Sequence, residues 1–161
     1  MMGRYPHFVN APAVADEQAV EEAMRFFDVT PLADRNYMTL SGGEKQRVHF
    51  ARVLSQIWYS KPNEPRYLLL DEPLTFLDVH YQIQFMNRLR ELLSDTTLTV
   101  VGVVHDLNLA ARFADTILLL NHGRVQASGA SEEVLSAQHL REAFHLEPVI
   151  LRTDKGLHVL F

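Results

Sequence analysis

The stretch Leu40-Ser41-Gly42-Gly43-Glu44-Lys45-Gln46-Arg47 puts a hydroxyl and two glycines where a helix is expected to begin. Free backbone N–H groups and the positive end of the helix dipole gather at such a mouth and attract an anion. Glycine allows close backbone approach, and the Ser41 hydroxyl adds a donor. Downstream lies Tyr67-Leu68-Leu69-Leu70-Asp71-Glu72-Pro73, an apolar strand pattern that ends in two carboxylates. Adjacent strand residues point to opposite faces, so the two acids can take different tasks. One can hold Mg²⁺ through water while the next polarises an attacking water. His105 closes a second apolar run and can donate a hydrogen bond to a phosphoryl group or a developing anion.

Each feature alone has a plainer reading. Ser41 with Gly42-Gly43 reads as a helix cap and turn, Asp71-Glu72 as an acidic pair capping a neighbouring helix, and His105 as a packed core histidine. Asp78 is accounted for as the cap of the helix after the acid pair. Their order along one chain, with Gln46-Arg47 after the glycines, favours phosphate chemistry. His7, His49, His80, His122, His139, His145 and His158 have no ligand spacing and read as surface or packing residues. Arg47 and Arg52 read as solvated or bracing.

The elements that must position these groups follow from periodicity and punctuation. Residues 1–15 read as irregular, with Pro6 and Pro12. A helix is expected over 16–28, capped by Asp16, with Ala19, Val20, Ala23, Met24 and Phe27 on one face. Pro31 ends that element. Ser41 opens the next helix, with Glu44 three residues on in a capping-box pattern. Its apolar face (Phe50, Ala51, Leu54, Ile57, Trp58) is expected to run to about Tyr59. Residues 61–65 read as a loop. A buried strand is expected over 66–70, then a helix from Asp78 to about Leu93 with Val79, Ile83, Met86 and Leu93 along one side. A second buried strand covers 98–104, and a short helix runs from Asp106 to Ala114. Strands follow at 116–120 and 124–127 around His122-Gly123. A helical region begins at Ser131 and ends near Phe144. Residues 149–152 and 157–161 read as a hairpin across Asp154-Lys155-Gly156. The strand and helix alternation is that of a parallel α/β sheet, in which ligands bind beyond the carboxyl ends of the strands. Asp71-Glu72 and His105-Asp106 both fall at such ends.

Composition narrows the classes. The 161 residues are enough for one domain, and 47% apolar with 22% charged is the profile of a soluble globular chain. A net charge of −5 argues against a nucleic-acid surface. With no cysteine, disulfides and thiolate chemistry are excluded. The apolar runs are too short to cross a bilayer, and Met1-Met2-Gly3-Arg4 does not open a signal peptide.

Taken together, the motifs resemble those of ATP-binding cassette (ABC) ATPases. Leu40 to Val48 is similar to the family's signature motif, Leu68 to Glu72 to Walker B, Leu77-Asp78 to the end of the D-loop, and His105 to the switch histidine. Met2-Gly3-Arg4-Tyr5-Pro6-His7, the long 58–66 connection and His105-Asp106-Leu107-Asn108-Leu109-Ala110-Ala111 resemble importer subunits for iron chelates, hemin importers above all. The resemblance implies an α/β fold. It would hold a partial ABC-type (RecA-like) parallel sheet with helices, a helical signature subdomain over 1–60, and a Walker B and switch-histidine half with a C-terminal β-hairpin over 61–161. It implies ATP and Mg²⁺ as cofactors, and two cassettes closing head to tail over two nucleotides. Ser41, Gly42, Gly43 and Glu44 would meet the ATP held by the other subunit, and Asp78 would contact that subunit. Asp71 would hold Mg²⁺ through water, Glu72 would be the general base, and His105 would steady the γ-phosphate. The partners implied are a second cassette and membrane permease subunits, with no nucleic acid, at the cytoplasmic face of a bacterial inner membrane.

The sequence departs from the family's pattern in two places. No G-x-x-x-x-G-K-[ST] phosphate loop occurs in the 161 residues, and Leu74-Thr75-Phe76 stands where the family has Thr-Ser-Ala. The chain is therefore expected to be a truncated transport ATPase subunit, inactive and poorly stable alone, with apolar strand surface uncovered. The alternative is a non-catalytic, degenerate cassette that completes a partner's ATP site. A soluble ABC-type ATPase of the DNA-repair or chromosome class lacks support, because sustained heptads are absent.

Overall fold

The computed structural model describes residues 1–59, 64–94, 97–154 and 156–161. The expected 61–65 loop and the turn residue Lys155 therefore fall wholly or partly outside the described residues. The chain divides into two compact units, Met1–Gly102 and Val103–Phe161.

The first unit opens with a short 3-10 turn, Met2–His7, and helix α1, Val14–Phe26. The helix starts two residues before Asp16. Asp16 is therefore not the cap residue; it lies in the first turn and reaches back to accept the Ala13 N–H at 2.9 Å. The helix ends well before Pro31, which sits instead in a short turn, Thr30–Leu32. Helix α2, Gly42–Gln56, begins where the capping pattern puts it and stops about a turn short of Tyr59. Phe27, Phe50 and Phe85 bring α1, α2 and the later helix α3, Val79–Leu92, onto one aromatic core, with Phe50 and Phe85 stacked at 4.1 Å. Burying such a ring contributes about 1.5–3 kcal/mol. Trp58 packs edge-on against Phe26 and donates its indole N–H to Glu22.

The face of α3 differs from the expected one. Phe85 and Leu89 are buried, whereas Val79 is 74% exposed. Val79 is the first helical residue, beyond the reach of the core that Phe85 and Leu89 enter.

Strands β1, Arg66–Asp71, and β2, Leu98–Val103, form a two-stranded sheet. The Arg66 N–H bonds the Thr97 carbonyl near one end, and Gly102 lies against Leu70 at the other, so the strands run in the same direction. Neither strand is buried on both faces as expected. Leu68 is buried, but Tyr67 is 64% and Leu69 75% exposed, and Val101 and Val103 are about half-exposed. The run of leucines reads as two covered faces; among the described residues only one face is covered.

The second unit has its own core. Helix α4, Leu107–Phe113, is capped by Asp106. Strands β3, Ile117–Asn121, and β4, Arg124–Gly129, pair antiparallel around His122-Gly123, where both residues take positive φ. Helices α5, Ser131–Val134, and α6, Ala137–Phe144, follow, and β5, Val149–Thr153, pairs antiparallel with β6, Gly156–Leu160. Leu119, Val134, Leu135, Leu140, Leu157 and Val159 form the closed centre. Asn108 ties α4 to β6, donating to the Val159 carbonyl and accepting its N–H. No described helix is long and apolar enough to cross a membrane.

Candidate functional site

The mouth of α2 is built locally. Ser41 has an extended backbone, and its hydroxyl accepts the Glu44 N–H at 3.3 Å while Glu44 Oε2 accepts the Ser41 N–H at 2.7 Å. The Ser41 amide, and then its hydroxyl, hold the Glu44 carboxyl below its ordinary value, with Arg35 and Arg47 adding to the effect. Arg35 also donates to Glu44 Oε1 at 3.1 Å. The reciprocal cap leaves the N–H groups of Gly42 and Gly43 without a partner in the described chain.

The fold does not require glycine at either position. A Cβ on Gly42 would stand in open space, one on Gly43 would make ordinary contacts near Phe76 and Leu77, and neither residue has a positive φ. In a helix interior glycine costs about 1 kcal/mol relative to alanine. Here it opens room directly above two donors, an arrangement suited to an anion approaching the backbone.

The acid pair sits at the end of β1. Asp71 is its last residue and Glu72 leaves it with φ +44, a left-handed conformation that is uncommon outside glycine. Both carboxylates are exposed. The Thr75 hydroxyl lies 3.3 Å from Glu72 Oε2. Phe76 projects outward at 72% exposure, while Leu74 and Leu77 point inward. Asp78 caps α3, its Oδ1 accepting the Tyr81 N–H at 3.0 Å. The structure brings the loop after the acid pair against the mouth of α2, since Gln46 donates to the Pro73 carbonyl and Gly43 lies beside Phe76 and Leu77. Ser41, Gly42, Gly43, Glu44, Asp71, Glu72 and Asp78 thus share the first unit. His105 belongs to the second, exposed and immediately before the Asp106 cap, two residues past the end of β2 rather than within it.

Among the described residues no cluster of three His, Asp or Glu side chains could hold a metal. A single exposed carboxylate with room for waters suits Mg²⁺, which keeps much of its hydration and takes other ligands from phosphates. Asp71 fits that donor chemistry; it does not form a closed protein cage.

Sequence reasoning passed over three contacts. Arg47 lies over the Tyr81 ring at 4.3 Å, joining α2 to α3. Gln46 reaches Pro73. Arg4 is buried, donating to Asp16 Oδ1 and the Ser55 carbonyl, both at 2.8 Å. The burial of Arg4 leaves no local pattern in the sequence; the pointer available there is its place in the segment Met2-Gly3-Arg4-Tyr5-Pro6-His7.

Residues 4–75 match the sequence profile of the ABC transporter family. Those residues belong to that family. The chain is 44% identical over 152 residues to the hemin import ATP-binding protein HmuV of Gloeobacter violaceus, covering 94% of this chain and 55% of that protein. It is 44% identical over 150 residues to HmuV of Bordetella avium, covering 93% and 57%. The chain thus spans little more than half the length of these relatives. Among solved structures, a metal-chelate type ABC transporter in an inward-facing conformation superposes with a TM-score of 0.82 at 28% identity, over 99% of this chain and 63% of that one. The dimeric bacterial ABC transporter cassette MJ0796 gives 0.64 at 28% identity, over 77% and 51%. The mixed helix and strand fold, with its small parallel sheet and C-terminal hairpin, is that of the ABC ATPases.

Proposed function

We propose that this chain is the signature and Walker B part of an ATP-hydrolysing subunit of an ABC importer, one that carries hemin or another iron chelate. The observation that carries the reading is the pair of N–H groups at Gly42 and Gly43 that have no partner among the described residues, under glycines the fold does not need. The hemin-import names of the relatives support the cargo class.

In this reading Ser41, Gly42 and Gly43 donate to the γ-phosphate of ATP held by a second cassette, with Glu44 locking the cap that aims them. Asp78 contacts that second cassette from the start of α3. Glu72 accepts a proton from the attacking water. His105 donates to the γ-phosphate and steadies it as charge develops. Asp71 would hold Mg²⁺ through water, and the ion would supply charge neutralisation for the phosphates. Residues 1–60 form the helical signature subdomain and 61–161 the Walker B and switch-histidine half. The partners are a second copy or a second cassette and permease subunits, which hold the chain peripherally at the inner face of a bacterial membrane. The exposed Phe76 lies where the partner cassette would meet the loop.

The 161 residues hold no phosphate-cradling loop. The purified chain should therefore hydrolyse ATP no faster than its Glu72→Gln variant. Added to a full-length cassette whose own signature serine is replaced, it should restore turnover, and the Ser41→Ala form should not. Glu72-dependent hydrolysis by the chain alone would overturn the first expectation. Failure of the parent chain to restore turnover would overturn the role of Ser41, Gly42 and Gly43. Turnover restored in trans should survive Glu72→Gln under this reading and under the degenerate-cassette alternative alike, because the acid acting at the restored site belongs to the full-length cassette.

A further inference from the structure

The loop from Pro73 to Leu77 joins the acid pair to Asp78, and two glutamine side chains grip it from opposite sides in sequence. From α2, Gln46 Nε2 donates to the Pro73 carbonyl at 3.1 Å. From α3, Gln82 Nε2 donates to the Leu74 carbonyl at 3.3 Å and to the Leu77 carbonyl at 3.1 Å. Within the loop, the amides of Thr75 and Leu77 donate to the Glu72 and Leu74 carbonyls, and the Thr75 hydroxyl lies within reach of both the Glu72 carbonyl and its Oε2. Pro73, Leu74 and Leu77 are buried and both glutamines are half-buried, so water competes weakly for the glutamine bonds, whereas the Thr75 hydroxyl is exposed. The left-handed backbone at Glu72 persists only where its surroundings hold it.

We propose that Gln46 and Gln82 are positioning residues. Together they clamp the 73–77 loop so that the Glu72 carboxylate, through Thr75, and the α2 mouth at Ser41 to Gly43 keep a fixed spatial relation. The chemistry asks for an amide at both places. Each acceptor is a backbone carbonyl, which takes an N–H and repels a carboxylate. Leu77 completes the joint by packing beside Gly43. The proposal rests on the roles given above to Glu72 and to Ser41, Gly42 and Gly43. Its consequence is that the helix mouth offered to one nucleotide and the acid beside another move as a single body.

The test compares the full chain with Gln46→Glu and Gln82→Glu, which keep side-chain shape and remove the donor, and with Gln46→Met and Gln82→Met, which remove it without adding charge. Amide hydrogen exchange should quicken about tenfold at Thr75 and Leu77 in the Gln46 variants, which lose one hydrogen bond, and at least as much in the Gln82 variants, which lose two, while α1 amides keep their rates. In the assembly with a signature-deficient cassette, the Gln46 variants should lower kcat several-fold and leave the KM for ATP unchanged. Unaltered exchange at Thr75 and Leu77 would overturn the clamp. So would a rise spread equally through α1, or a loss of kcat matched by a rise in KM, since either marks general loosening. If the parent chain restores no turnover, the nucleotide reading falls and exchange alone decides the clamp.

Discussion

The two ends of α2 are built on opposite plans. At the C-terminal end, Gly3 and Arg4 lie buried, Arg4 bonds Asp16 and the Ser55 carbonyl, and His7 Nε2 lies 2.6 Å from the Gln56 carbonyl. The last carbonyls of the helix are thus taken up by side chains from the start of the chain. At the N-terminal end, Ser41 and Gly42 are exposed, the Ser41 and Glu44 cap is reciprocal, and two amides have no partner among the described residues. One end anchors and the other presents. A rigid helix closed at one end and open at the other can hold its donors still without covering them.

The sharpest way to break this contrast is at the anchored end. A Cβ at Gly3 would lie 2.2 Å from both the Arg52 carbonyl oxygen and the Ser55 hydroxyl, and a backbone oxygen cannot yield. Gly3→Ala should destabilise the first unit by on the order of 3 kcal/mol, read as a lower urea midpoint. Next, Arg4→Met leaves Asp16 buried without its cation and should lower Tm by on the order of 10 °C.

That second variant also carries a pH signature. The Ala13 amide first, and then Arg4, hold the Asp16 carboxyl below its ordinary value near 3.8. A depressed acid lends its full stability above the ordinary value and loses it as pH falls through the lowered one. The parent should therefore lose this contribution on acidification below 3.8, and Arg4→Met should lose less of it, as thermal scans across that range would measure.

At the open end the effects shrink and then change sign. Ser41→Ala removes a cap and should cost about 1 kcal/mol. Gly42→Ala meets no atom within 4 Å and should be neutral or stabilising by up to about 1 kcal/mol, while abolishing turnover restored in trans. A Gly42→Ala variant that lost stability would show that the glycine serves the fold, and the contrast between the two ends would fail.

The same two ends show what a sequence discloses. The Ser41 and Glu44 cap was legible because its partners lie three residues apart, and so were the Asp78 and Asp106 caps. The Asp71-Glu72 pair was legible as a strand end because a short apolar run stops there. Arg4 with Ser55, Gln46 with Pro73 and Arg47 with Tyr81 were not, since each joins residues brought together only by folding. The burial of β1 was misread for a related reason. Leucines on both sides of a strand fix its apolar character, but whether Tyr67 and Leu69 are covered depends on what packs over them. Asp16 was assigned a cap because an aspartate in the first turn and one at the cap make similar local patterns.

The chain's one tryptophan lies within this architecture. Trp58 follows the anchored end of α2, rests edge-on against Phe26 of α1 and bonds Glu22. Its emission is therefore an intrinsic optical gauge of whether those two helices remain docked. Because the second unit contains no indole, a fluorescence melt reports on the first unit by itself, and comparison with a circular-dichroism melt of the whole chain would separate the unfolding of the two halves without any added label.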